Sequence, residues 1–135
     1  MRQNTNQRDN ENQKEYFKDP ANWSVEDIAL EKGLVATLAK KDKTKMSQVR
    51  KIFAELNNLY SLSKKSENID EIKKEVLMLF PKINYAKNRE VLKYDLYVVL
   101  KNWLNYLYNE LKKGNKKPFE KFHDFLTALI SYKKD

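Results

Sequence analysis

Residues 91–111, VLKYDLYVVLKNWLNYLYNEL, constrain this chain more than any other segment. Their apolar side chains recur at helical spacing, and in the middle of the segment they cover nearly every side. A helix that is apolar all round cannot turn a flank to water, so other elements have to enclose it. Those elements read as helices too. Two Gly and three Pro in 135 residues leave little punctuation for sheets and hairpins.

The remaining apolar stripes share that period. Val25, Ile28, Ala29, Val35, Leu38 and Ala39 follow Ser24, a good N-cap, with Asp27 three residues on as a near capping box. Gly33 either weakens that helix or lets a neighbour approach closely. Val49, Ile52, Phe53, Leu56, Leu59 and Tyr60 mark a helix opening at Ser47, and SKKSEN (63–68) is a polar loop. The next helix buries Ile69, Ile72, Val76, Leu79 and Phe80. Pro81 should stop or kink it, with Ile83, Tyr85 and Ala86 turned inward beyond. After the central helix, KKGNKK (112–117) is a basic turn with Gly114 at a helix end. Pro118 opens a last helix with Phe119, Phe122, Phe125, Leu126, Leu129 and Ile130 inside.

The expected fold is all-α, a single compact helical bundle of about five helices, at least roughly 65% helical and without sheet. Leu96, Val99, Leu100, Trp103 and Leu107 should be buried. Residues 1–22 read as a polar, disordered N-terminal tail rich in Asn and Gln, and residues 23–135 as the bundle domain.

Several chemistries find no footing. The chain has no Cys, which excludes disulfides, thiolate metal sites and thiol nucleophiles. His123 is the only histidine, and its neighbour Asp124 cannot face it at i,i+1 on a helix. A partly buried or surface histidine explains it. No HExxH, glycine-rich phosphate loop or G-x-S-x-G is present. Asp27, Glu31, Asp70, Glu71 and Glu75 fall at helix starts or on polar faces. The reading is therefore no enzyme, no cofactor and no metal. Residues 1–20 lack an apolar stretch, so no signal peptide is expected, and the run LYVVL (96–100) is too short to cross a bilayer. A cytoplasmic location with no membrane partner follows. Most aromatic residues sit at core spacing, with Tyr94, Tyr108 and Tyr132 left open.

The formal charge of +8 points to an acidic partner. It concentrates in KKDKTKMSQVRK (40–51), where six of twelve residues are Lys or Arg and one is acidic. A helix N-terminus already carries the positive end of its dipole, so local stability does not ask for this charge. A phosphate held there would meet the unpaired N–H groups of the first turn, the Ser47 hydroxyl, and Lys45, Arg50 and Lys51. Two further clusters are Lys82/Lys87/Arg89 and 112–117. A solvated loop is the plain alternative for each. No RRM, KH or zinc-finger signature occurs, so contact would be with the backbone of RNA or DNA, independent of sequence.

Three segments carry a resemblance. TKMSQVRKIFAELNNLY, FPKINYAKNR and FHDFLTALISYKK resemble, in that order, hallmark segments of the small subunit of type III-A CRISPR effectors, the Csm complex. The match covers about residues 44–134. The resemblance implies a non-catalytic helical bundle in antiviral defence. Copies would stack on one another beside the crRNA-bound backbone subunits, with the large subunit in the same complex. They would hold target RNA, or the crRNA–target duplex, through its sugar-phosphate backbone, while base pairing reads the sequence. Lys45, Ser47, Gln48, Arg50, Lys51, Lys87 and Arg89 carry over as RNA-binding residues, and charge adds Lys43 and Lys82. The competing readings are the small subunit of type III-B complexes and a DNA-binding or scaffold helical protein unrelated to CRISPR. The tight Gly-containing turn of a helix-turn-helix regulator is not evident.

Overall fold

The computed structural model describes residues 14–134, of which 77% are helical, with no strand among them. Two 3-10 turns, Glu15–Phe17 and Pro20–Asn22, precede six α-helices. These are α1 (Val25–Ala29), α2 (Leu34–Lys41), α3 (Met46–Lys65), α4 (Ile69–Asn88), α5 (Tyr94–Lys112) and α6 (Pro118–Tyr132). The five expected helices are all present, the first of them divided into α1 and α2.

That division begins with a capping box. The Asp27 amide donates to Ser24 Oγ at 3.0 Å, and the Ser24 amide donates to Asp27 Oδ2 at 2.8 Å. Backbone donation from Ser24, aided by Lys18, holds the Asp27 carboxyl below its usual pKa. The chain then breaks at 30–33 before α2. Gly33 has an ordinary extended backbone there, and space is what demands glycine. A Cβ would lie 2.6 Å from the carbonyl oxygens of both Glu26 and Asp27. The break also disrupts the expected stripe. Ile28, Val35, Leu38 and Ala39 are buried, but Val25 is 76% exposed.

Helix α4 continues past Pro81 instead of stopping there. Proline removes the donor that the Leu77 carbonyl would have used. Both residues are exposed, so water can take that carbonyl at little cost. Tyr85, expected inside, lies on this outer face. The helix closes in a Schellman motif: the Glu90 amide donates to the Lys87 carbonyl at 2.9 Å and the Val91 amide to that of Ala86 at 3.1 Å. Helix α5 closes the same way, through Gly114 to Leu111 and Asn115 to Glu110, both at 2.9 Å. Both turns need the left-handed region, with φ +77° at Gly114 and +62° at Glu90. Only the first is legible in sequence.

Helix α5 lies along α4, while α6 packs on α3 and α2 and also touches α1 and α5. The centre expected of one helix is thus shared by α5 and α6. Leu96, Val99, Leu100, Trp103 and Leu107 of α5 are all buried. The Trp103 ring stacks on Phe125 of α6 at 5.0 Å, and Trp23 meets both rings edge-on at 5.5 and 5.7 Å.

Residues 14–22, assigned to the tail from sequence, join this core. Tyr16 is buried, and its hydroxyl donates to Asp95 Oδ2, which also accepts from Lys14 Nζ at 2.8 Å. Burial and the adjacent carboxylate push the Tyr16 phenol pKa well up. Trp23 Nε1 donates to the Lys18 carbonyl at 3.1 Å. Tyr16 and the half-buried Phe17 beside it anchor a polar segment that composition alone labels unfolded. The rest of the tail, 1–13, lies outside the described residues.

Two backbone substitutions should act in opposite directions. Gly33→Ala forces a methyl against two carbonyl oxygens and should cost about 1–3 kcal/mol, as overpacking does. Glu90→Gly relieves a left-handed non-glycine residue and should add about 0.5–1 kcal/mol. Thermal melting of the two variants checks both signs.

Candidate nucleic-acid interface

The basic run KKDKTKMSQVRK folds as three pieces. Lys40 and Lys41 occupy the last turn of α2, where the negative end of its dipole favours them. Local stability therefore accounts for two of the six cations. Residues 42–45 form a link, and α3 starts at Met46, one residue before the expected Ser47. Lys45 is its N-cap, and no side chain caps this end. Lys43, Lys45, Arg50 and Lys51 thus gather around a helix terminus that is already positive, without local compensation.

One acidic residue fixes the link. Asp42 is buried; its Oδ1 accepts from the Thr44 amide at 2.8 Å and its Oδ2 from the Leu96 amide at 2.9 Å. Leu96 lies in the first turn of α5, so Asp42 caps that helix from a distance. Thr44 Oγ1 accepts from the Lys93 amide at 3.0 Å, adding a second tie to the same end. The buried Lys133 Nζ donates to the Asp42 carbonyl oxygen and lies 4.0 Å from Oδ1. A residue of the closing motif therefore serves architecture.

Above this network lies a cavity of about 870 Å³. Lys40, Lys43, Lys45, Arg50 and Lys134 reach it, all exposed, with Ser47 among them. The acids at its wall are exposed Glu31 and Asp42, the latter occupied internally. Three segments supply the cations: the end of α2, the link with the start of α3, and the chain after α6. Such convergence concentrates positive potential in one concave place.

The other expected residues face elsewhere. Ser47 and Arg50 stand on one side of the first turns of α3. Gln48 and Lys51, one position on, face the groove between α3 and α4 with Lys82 and Arg89. That groove holds about 630 Å³, and Lys82 Nζ is 3.9 Å from Glu55 Oε1 at its wall. Lys87, grouped with Lys82 and Arg89 by sequence, lies apart. Its Nζ sits 5.1 Å from the centre of the Tyr97 ring on α5. The nine expected RNA-binding residues thus form two groups of four and one outlier. The cluster at 112–117 is partly structural. Lys116 Nζ donates to the carbonyls of Ser63 and Ser66 at 2.8 and 3.0 Å, closing the end of α3.

Sequence reasoning missed Lys40 and Lys134 at the first cavity, and Asp42 beneath it. The available clue was a lone acid inside a run of bases. Tyr132, left open, lines the same cavity while its hydroxyl donates to the Ala29 carbonyl. His123 stacks on Tyr60, with ring centroids 4.1 Å apart. Among the described residues no group of three or more His, Asp or Glu is placed to hold a metal, and no helix is long and apolar enough to cross a membrane.

The profile of the family described as Csm2 Type III-A matches residues 23–135. The chain belongs to that family. It is the small subunit of the type III-A Csm complex, a structural component that assembles with other Csm subunits. No curated protein and no solved structure matches it. The matched region begins at Trp23, so the aromatic anchor at Tyr16 lies just before it.

The Asp42 network yields a ranked prediction. Asp42→Ala strips two buried amides of their acceptor and should cost about 3 kcal/mol. Lys133→Met should cost less, because Asp42 keeps its backbone donors. Urea denaturation of the two variants, with slopes compared, measures the order.

Proposed function

We propose that this subunit holds target RNA, or the crRNA–target duplex, by its sugar-phosphate backbone and carries out no chemistry of its own. The observation that supports this reading is the convergence of five exposed cations beside the uncapped start of α3. A phosphate there would meet first-turn amides, the Ser47 hydroxyl, and charge from Lys45 and Arg50. Lys43 and Lys40 would neutralise its neighbours. Gln48, Lys51, Lys82 and Arg89 would extend the contact across the α3/α4 groove, and Lys87 would stand at its margin. Copies would sit beside the crRNA-bound backbone subunits and next to one another in a cytoplasmic effector. Sequence would be read by the guide, which leaves the protein to grip shape and charge.

Such a grip has a measurable form. The isolated subunit should bind single-stranded RNA without sequence preference, and log K should fall with log salt by about 0.7 per phosphate contacted. Arg50→Ala should weaken binding by roughly 1 kcal/mol and lower that slope while leaving the melting temperature unchanged, because Arg50 lies off the buried stripe of α3. Lys65→Ala, at the far end of α3, is the control. Early melting of Arg50→Ala with normal RNA affinity would make Arg50 a structural residue and remove the proposed anion site.

A further inference from the structure

The two cavities flanking the start of α3 differ in chemistry. The first is ringed by cations. The second, between α3 and α4, counts Ile52, Ile83 and Val91 among its lining residues. At its edge stands Tyr85, 63% exposed, with the Arg89 guanidinium 5.4 Å from its ring centre. Arg89 covers part of the Tyr85 ring, and the rest of it stays in water at the mouth of a groove that Leu79 and Ile83 of the same helix also line. Lys51 and Lys82 stand at the same groove, with Glu55 beside Lys82.

We infer that the α3/α4 groove receives an unstacked nucleobase of single-stranded RNA, held against Tyr85 and Arg89, while its flanking phosphate meets Lys51 and Lys82. This deepens the backbone-binding reading and rests on it. An apolar slot with one exposed aromatic ring and cationic walls matches what a base with its phosphate requires, a flat π-face and a negative charge. Arg89 favours the same arrangement, since a guanidinium plane stacks on both tyrosine and base. Gln48 at the groove carries an amide that both donates and accepts, so it can meet any base edge and gives little sequence preference. The first turn of α3 separates the slot from the cation-lined cavity. A strand crossing that turn could place a phosphate in one and a base in the other.

The test compares oligo(A) with an abasic oligoribonucleotide of equal length, by fluorescence anisotropy over a series of salt concentrations, using the full chain. Wild type should bind oligo(A) about tenfold more tightly than the abasic strand, the loss expected for one base–aromatic stack. Tyr85→Ala should erase that difference while leaving abasic binding and the salt slope unchanged. Tyr85→Phe should keep it. Tyr85→Trp should show emission quenched by oligo(A) and not by the abasic strand. Equal wild-type affinity for the two strands, or equal weakening of both by Tyr85→Ala, overturns the slot and leaves the backbone reading intact. Failure of wild type to bind either strand at low salt overturns the backbone reading, and the slot with it.

Discussion

The buried carboxylate of Asp42 is the interaction on which the rest of this structure depends. A charged group without water is costly unless its acceptor sites are filled. Here two backbone amides fill them, one local and one from the first turn of α5, and a buried ammonium lies beside the same residue. These bonds tie the link before α3, the start of α5 and the end of α6 at one point. Those three places are far apart in the chain and form no common element. The basic link is therefore held in a defined course although four of its neighbours repel one another. Positive charge crowded at a helix start would otherwise favour an open, solvated loop. The same fold thus fixes the backbone on which these cations stand, through a carboxylate that is itself occupied internally.

Behind this network the core is aromatic. Trp103 on α5, Phe125 and Phe122 on α6, and Trp23 from the N-terminal segment pack at ring distances of 5.0 to 6.5 Å. Edge and stacked contacts of this kind add to area burial and fix the relative rotation of the two central helices. Trp103 Nε1 is buried without a hydrogen-bond partner. An indole N–H left so is a small cost beside the area the ring buries. Trp23, nearer the surface, spends its N–H on the Lys18 carbonyl and thereby pins the segment that carries Tyr16.

The legible and illegible parts of the fold separate by physical cause. Helical period located the buried face of α5 down to individual residues, because that period is a local property of the backbone. It placed Tyr85 wrongly, since α4 has apolar residues on two opposite faces and periodicity cannot say which face meets the core. Pro81 reads as a stop or a kink because its missing donor is costly in a buried helix, and the helix continues past it where Leu77 and Pro81 are exposed. Gly114 announced its turn, while Glu90 adopted the same left-handed geometry with no glycine to announce it. Tyr16 and Phe17 were submerged in the polar composition around them. At the site, Arg50 and Ser47 were found from the run itself, but Lys134 lies more than eighty positions away and no local pattern points to it.

What the sequence determined by itself is the set of helices, the apolar faces that force them together, and a dense basic run at the entrance to α3. These follow from spacing, propensity and charge, all of which act over a few residues. The tertiary structure decided which cations meet. It drew Lys134 and Lys40 to Lys45 and Arg50, turned Gln48 and Lys51 to the other side with Arg89, and sent Lys87 to Tyr97. Only packing could do this, because the rotation of α3 against α4 and α6 is set by side chains that interlock across the whole core. A single turn of α3 divides one charged run between two cavities, and the direction in which each residue points depends on that rotation.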